Sequence, residues 1–83
     1  MTILVGQMVF AKCGRDRGKA FIVLNICKDY LYLVDGKGRT LQAPKKKKAK
    51  HVQPTGNVAD LKTDGRALQD ADIRKHLKAF GNA

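Results

Sequence analysis

The chain has 83 residues, enough for one small domain with little apolar surface to bury. Seventeen Lys and Arg against seven acidic residues give a net charge of +10 and a pI near 10.0, a balance that favours a polyanionic partner. No Ser, Glu or Trp occurs, which removes serine nucleophiles and paired glutamates from the possible chemistries, and the longest apolar run, Ala20–Leu24, is far short of the roughly 20 residues a membrane helix needs.

In chain order, Met1–Val5 is apolar but lacks the basic start and the length of a secretion signal. Alternating apolar residues predict a first strand over Gln7–Cys13 and a second over Lys19–Cys27. Between them Gly14 and Gly18 bracket Arg15, Asp16 and Arg17, a glycine-bounded basic turn in which Asp16 is expected to bond local backbone amides. Lys28-Asp29 makes a two-residue connection to a third strand, Tyr30–Val34, rich in β-favouring residues. Asp35-Gly36-Lys37-Gly38 is a tight-turn signal, predicting a fourth strand at Arg39–Ala43. Pro44 interrupts the pairing, and a last strand is expected from about Ala49 to Gln53, ending before Pro54.

Short strands with tight turns predict a mainly β fold, a small SH3-like barrel of about five strands over residues 1–54. Both faces of the second strand are apolar, Ala20, Ile22 and Leu24 on one and Phe21 and Val23 on the other, so something must cover the outside. The cover is expected from residues 69–81, where Ile73, Leu77 and Phe80 form one stripe of an amphipathic helix with Asp70 as N-cap and Gly81 at its end. Residues 55–68 read as a loop with a short extra strand near Val58–Leu61, the whole making a single domain.

Three basic groups stand out. Arg15, Arg17 and Lys19 sit on the first turn, where guanidinium groups held on a stiff loop suit phosphate oxygens. Lys37 and Arg39 sit on the Asp35-Gly36 turn. Lys45, Lys46, Lys47, Lys48, Lys50 and His51 form a run, and no acidic residue occurs from Gly36 to Ala59. Such a run repels itself unless an anion relieves it; its plain alternative is an edge strand that lysines keep from aggregating. The charge is uneven: residues 1–53 hold twelve Lys and Arg against three Asp, residues 60–83 five against four. Nucleic acid is therefore expected on the first two thirds. Tyr30, Tyr32 and His51 are candidates for stacking on unpaired bases, with core packing as the alternative for the tyrosines. Cys13 and Cys27 fit no metal or redox spacing and read as small hydrophobes in a reducing compartment. No phosphate loop leading into a helix and no local cluster of Cys, His and acid occurs, so neither a catalytic residue nor a metal or cofactor is expected.

The Gly14–Lys19 turn with its flanking strands resembles the KOW motif, an RNA-binding hairpin of ribosomal and transcription proteins, with Gly18 at the signature glycine. The likeness extends through Leu33-Val34-Asp35-Gly36, then Pro44–His51, then Ile73-Arg74-Lys75. Over about residues 5–80 the chain is similar to short bacterial KOW-domain proteins related to archaeal and eukaryotic large-subunit ribosomal proteins. The resemblance implies a cytoplasmic, non-catalytic RNA-binding protein associated with ribosomal RNA or the ribosome. It is expected to act as a monomer, using the three basic groups as RNA contacts and Gly14, Gly18, Asp35 and Gly36 as turn formers. The alternative is a protein-interaction adaptor in transcription or translation, docking a ribosomal or transcription protein through the barrel or the helix stripe.

Overall fold

The computed structural model describes residues 2–81; Met1 of the expected 1–54 unit lies outside the described residues. Five strands, β1 (Gln7–Ala11), β2 (Ala20–Cys27), β3 (Tyr30–Val34), β4 (Lys45–Lys48) and β5 (Val52–Val58), precede one helix, α1 (Asp70–Ala79). They form one antiparallel sheet in the order β4-β3-β2-β1-β5. Its two edge strands are consecutive in sequence, joined only by a single 3-10 turn, Ala49–His51. A sheet whose edges are tied that closely must curl, and the result is the small barrel-like fold that strand count and turn spacing predict.

Two apolar clusters lie on opposite sides of the sheet. Val9, Ala11, Phe21, Val23, Leu31, Leu33 and Val52 fill the inside of the curl. Met8, Ala20, Ile22 and Val34 face outward and meet Ile73 and Leu77 of α1, with Phe80 packed against them. The helix thus covers the outer face of β2, as the two-sided apolar pattern requires, and Ile73 is fully buried. Lys28, at a φ of 54°, and Asp29 make the two-residue connection between Cys27 and its partner Tyr30.

Four local expectations are corrected. The fourth strand is Lys45–Lys48, not Arg39–Ala43. Residues 40–43 are diverted by a turn, with the Ala43 amide donating to Thr40 O, and Leu41 N is drawn to Asp70 Oδ1 at 2.8 Å on the helix, so the segment serves α1 instead of β3. The last strand begins at Val52 and runs through Pro54. It lies at the sheet edge, where a residue without an N–H is tolerated. The register shift between Gln7 and Val9 leaves extra residues on β5; buried Gln7 takes up the slack, donating to Thr55 O and accepting from Leu4 N, while the Thr55 hydroxyl donates to Met8 O. No strand forms at Val58–Leu61 beyond the end of β5. The N-cap of α1 is Gln69, not Asp70: Gln69 N donates to Asp72 Oδ2 at 2.9 Å, completing a reciprocal capping box.

Among the described residues no helix is long and apolar enough to cross a membrane.

Candidate nucleic-acid interface

The turn between β1 and β2 is closed by backbone bonds from Arg17 N to Gly14 O, Lys19 N to Asp16 O, and Gly18 N to Ala11 O. Gly14 and Gly18 both take positive φ, 82° and 84°, which the chain direction demands and a side chain would resist. Arg15, Arg17 and Lys19 are exposed.

What holds this turn in place comes from the lysine run. On β4, Lys45 lies opposite Leu33 and Lys47 opposite Leu31, so these two lysines share the inward face of the sheet with core leucines. Lys47 is only 9% exposed, and its ammonium donates to Cys13 O at 2.9 Å. The Lys45 ammonium donates to Asp16 Oδ2, and Lys19 lies 3.4 Å from Asp16 Oδ1. Asp16 therefore receives lysines, not the local amides expected of it. Its carboxyl is held below the usual range, first by the hydrogen bond from Lys45, against the opposing effect of burial. Lys45 and Lys47 thus tether the arginine turn and are not free side chains, although the sequence places them in the run expected to contact RNA.

Lys46 and Lys48 occupy the other parity of β4 and are exposed. Their ammonium groups lie 4.4 and 5.9 Å from the centroid of the half-buried Tyr30 ring. That ring carries a cation, so lysines occupy the place foreseen for a base at this tyrosine. Lys48 and Lys50 line a separate hollow with Asp29 and Ala49. His51 is half-buried at the end of the 3-10 turn, and its carbonyl accepts from Lys12 N at 2.8 Å.

The Asp35–Arg39 loop is organised locally. Asp35 Oδ1 accepts from both Lys37 N and Arg39 N at 2.9 Å, and Asp35 N donates to Arg39 O. Gly36, at a φ of 78°, lies directly under α1: a Cβ there would stand 2.5 Å from Asp70 O and 2.8 Å from Arg74 Cγ. Arg74 Nη1 closes the contact by donating to Gly36 O at 2.5 Å. Lys37 and Arg39 are left exposed.

The two loops and the helix enclose a groove of about 340 Å³ lined by Lys19, Lys37, Asp35, Arg74, Leu77 and Lys78, with Gly18 and Ala20. Lys19 of the first basic group and Lys37 of the second are thus brought together, while Arg15, Arg17 and Arg39 lie outside the groove lining and Lys48 lines a different hollow. The apolar stripe announces the helix but gives Arg74 and Lys78 no role of their own. Their i,i+4 spacing, one residue after Ile73 and Leu77, was the available signal: it sets both on one flank of the stripe.

The foundation of α1 lies on its other flank. Arg66 grips Asp72 with two hydrogen bonds, 2.7 and 2.9 Å. That grip, with the Gln69 amide, drives the Asp72 carboxyl far below the usual carboxylate range and raises the Arg66 guanidinium. Among the described residues no three His, Cys or acidic side chains gather as they would to hold a metal ion. Cys13 and Cys27 are free thiols, and both are exposed, unlike the small packed hydrophobes expected. No family model matches the chain, and no curated protein matches it.

Proposed function

We propose that this chain is a non-catalytic RNA-binding protein that grips the phosphate backbone of structured RNA, in association with ribosomal RNA or the ribosome. The observation that carries the reading is the tethered Gly14–Lys19 turn. Two arginines are presented to solvent on a loop whose position is set by Lys45, Lys47 and two glycines, and whose neighbour across the groove is Lys37. An arginine whose backbone is already held in place has only its side chain left to order when it meets a phosphate. The net charge of +10 supplies the long-range attraction. The resemblance to KOW-motif proteins supports RNA over other polyanions and supplies the cytoplasmic, ribosome-linked setting. The adaptor reading has less support, because Ile73 and Leu77, the stripe a docking helix would offer, are spent on the sheet.

If about four to six phosphates are contacted, log affinity for structured RNA falls with log salt at a slope of about −3 to −5. Fluorescence anisotropy across a salt series measures this. No binding at low salt, or affinity indifferent to salt, overturns the reading. Crosslinking in cells followed by sequencing of bound RNA is expected to return ribosomal RNA; partners that survive nuclease treatment would favour the adaptor.

A further inference from the structure

We infer that the groove between the Gly18–Lys19 turn, the Asp35–Lys37 loop and α1 seats an RNA phosphodiester, which makes Lys78 and Arg74 of the C-terminal helix part of the binding surface. The inference rests on the RNA-binding reading and extends it to a helix that the sequence marks as a cover or a protein-docking stripe, not as an RNA contact.

Three features lead to it. The groove wall holds four cations, Lys19, Lys37, Arg74 and Lys78, and one carboxylate, Asp35. That carboxylate is turned to its own loop, where one oxygen takes two backbone amides. Lys37 and Lys78 have no ion-pair partner among the described residues, and Lys19 has only the 3.4 Å approach to Asp16. The C-terminal end of the α1 dipole opposes an anion, but it amounts to about half a charge against a surplus of three positive side chains.

The second feature is rigidity. Arg74 is fixed to Gly36 O, Asp70 to Leu41 N, and Ile73 and Leu77 are buried in the sheet, so the last turn of α1 is held over the groove. The third is composition of the floor. Leu77 and Ala20 line it beside the cations, which suits a sugar-phosphate segment better than a fully hydrated small anion, because the ribose carbons can rest on apolar atoms.

The test is Lys78→Gln against Lys75→Gln in the full chain, binding a fluorescein-labelled RNA stem-loop across a salt series. Lys75 is on the same helix and carries the same charge but lines the opposite hollow, with Asp72 and His76. Lys78→Gln is expected to weaken binding about three- to tenfold and to flatten the salt slope by about 0.7–0.9. Lys75→Gln should change affinity by less than about twofold, and Lys78→Arg should restore most of the loss. In a Lys37→Gln, Lys78→Gln double variant the two losses should not multiply, because both side chains face one phosphate. Equal losses for Lys78→Gln and Lys75→Gln, with wild-type binding intact, overturn the groove and leave the RNA-binding reading standing; no binding by the wild type removes both. A second arm titrates inorganic phosphate alone and follows α1 amide shifts by NMR. Saturation at low millimolar phosphate, with Lys78→Gln leaving RNA affinity unchanged, would identify a small-anion site and overturn the proposal.

Discussion

The two basic loops flanking the groove present similar charges but are built by opposite means. The Asp35–Arg39 loop is a short-range structure: Asp35 gathers the amides of Lys37 and Arg39, and the sequence carries the whole instruction within five residues. The Gly14–Lys19 turn is closed by its own backbone, but its placement depends on lysines some thirty residues further on, reaching from the inner face of β4 to Cys13 O and Asp16. The first loop in turn supports α1 through Gly36, whereas the second meets the rest of the fold through β1 and the two inward lysines of β4. Damage to the Asp35 loop should therefore cost the fold more than damage to the arginine turn, whose larger effect should be on binding.

The glycines give the largest contrast. Gly36→Ala forces a side chain onto Asp70 O and Arg74 Cγ at positive φ, and should cost about 2–4 kcal/mol through strain and displacement of α1. Gly18→Ala meets nothing within 4 Å and should cost only about 1–2 kcal/mol for the left-handed backbone. Urea unfolding of both variants measures the difference; equal losses would mean that the helix does not rest on the loop.

Acid separates the two regions next. Asp16 anchors the arginine turn and Asp72 anchors α1, and both carboxyls titrate lower in the folded chain than the unfolded value of about 3.9. Each therefore contributes stability that is complete above that value and is lost as pH falls through the folded pKa. Asp72, gripped by Arg66 and the Gln69 amide, is depressed further and should protonate last. Lowering the pH should thus perturb the amide resonances of Arg15 and Arg17 before that of Gln69. Asp72→Asn should lower the melting temperature at neutral pH and flatten its decline below about pH 4; a steep acid limb retained in this variant would place the pH dependence elsewhere.

The smallest effect divides the lysine run. Lys46→Gln should weaken RNA binding and reduce the salt slope by about 0.7–0.9 without altering the arginine turn. Lys47→Gln should cost about 0.5–1.5 kcal/mol of stability and lower the NMR order parameters of Arg15 and Arg17, with the loss of RNA affinity following from that mobility. If the two variants behave alike, strand parity does not matter and the run acts as diffuse charge.

Much of the frame was legible because it is encoded locally. Alternation marks β1 to β3, the Lys28-Asp29 connection follows from its neighbours, and the two apolar faces of β2 demand the cover that Ile73 and Leu77 provide. The failures lie where distant groups decide. Thr40–Ala43 bends through its own Ala43–Thr40 turn, and Asp70, distant on the helix, draws Leu41 away from pairing. Four identical lysines carry no alternation of their own, so only the register against Leu31 and Leu33 separates inward from outward. Pro54 suggests a strand end unless the strand is known to lie at an edge. Of the candidate site, the arginine turn and the Asp35 loop were visible in the residues. Their meeting across Arg74 and Lys78 required the fold.

The single turn at Ala49–His51 has a kinetic consequence. It makes β4 and β5 neighbours in sequence but places them at the two ends of the strand order, so β1 finds its second partner only when the sheet has curled far enough to bring Val52–Val58 beside it. The β1–β2–β3–β4 meander can assemble from contacts between successive segments, while sealing β5 against β1 closes a much longer loop and must bear its entropy before the inner cluster is complete. Until that seam forms, β1 presents an unpaired edge beside Val9 and Ala11. Substitutions at Val52 should therefore slow folding, whereas substitutions in α1, a local helix docking on a preformed face, should act mainly on how fast the chain comes apart.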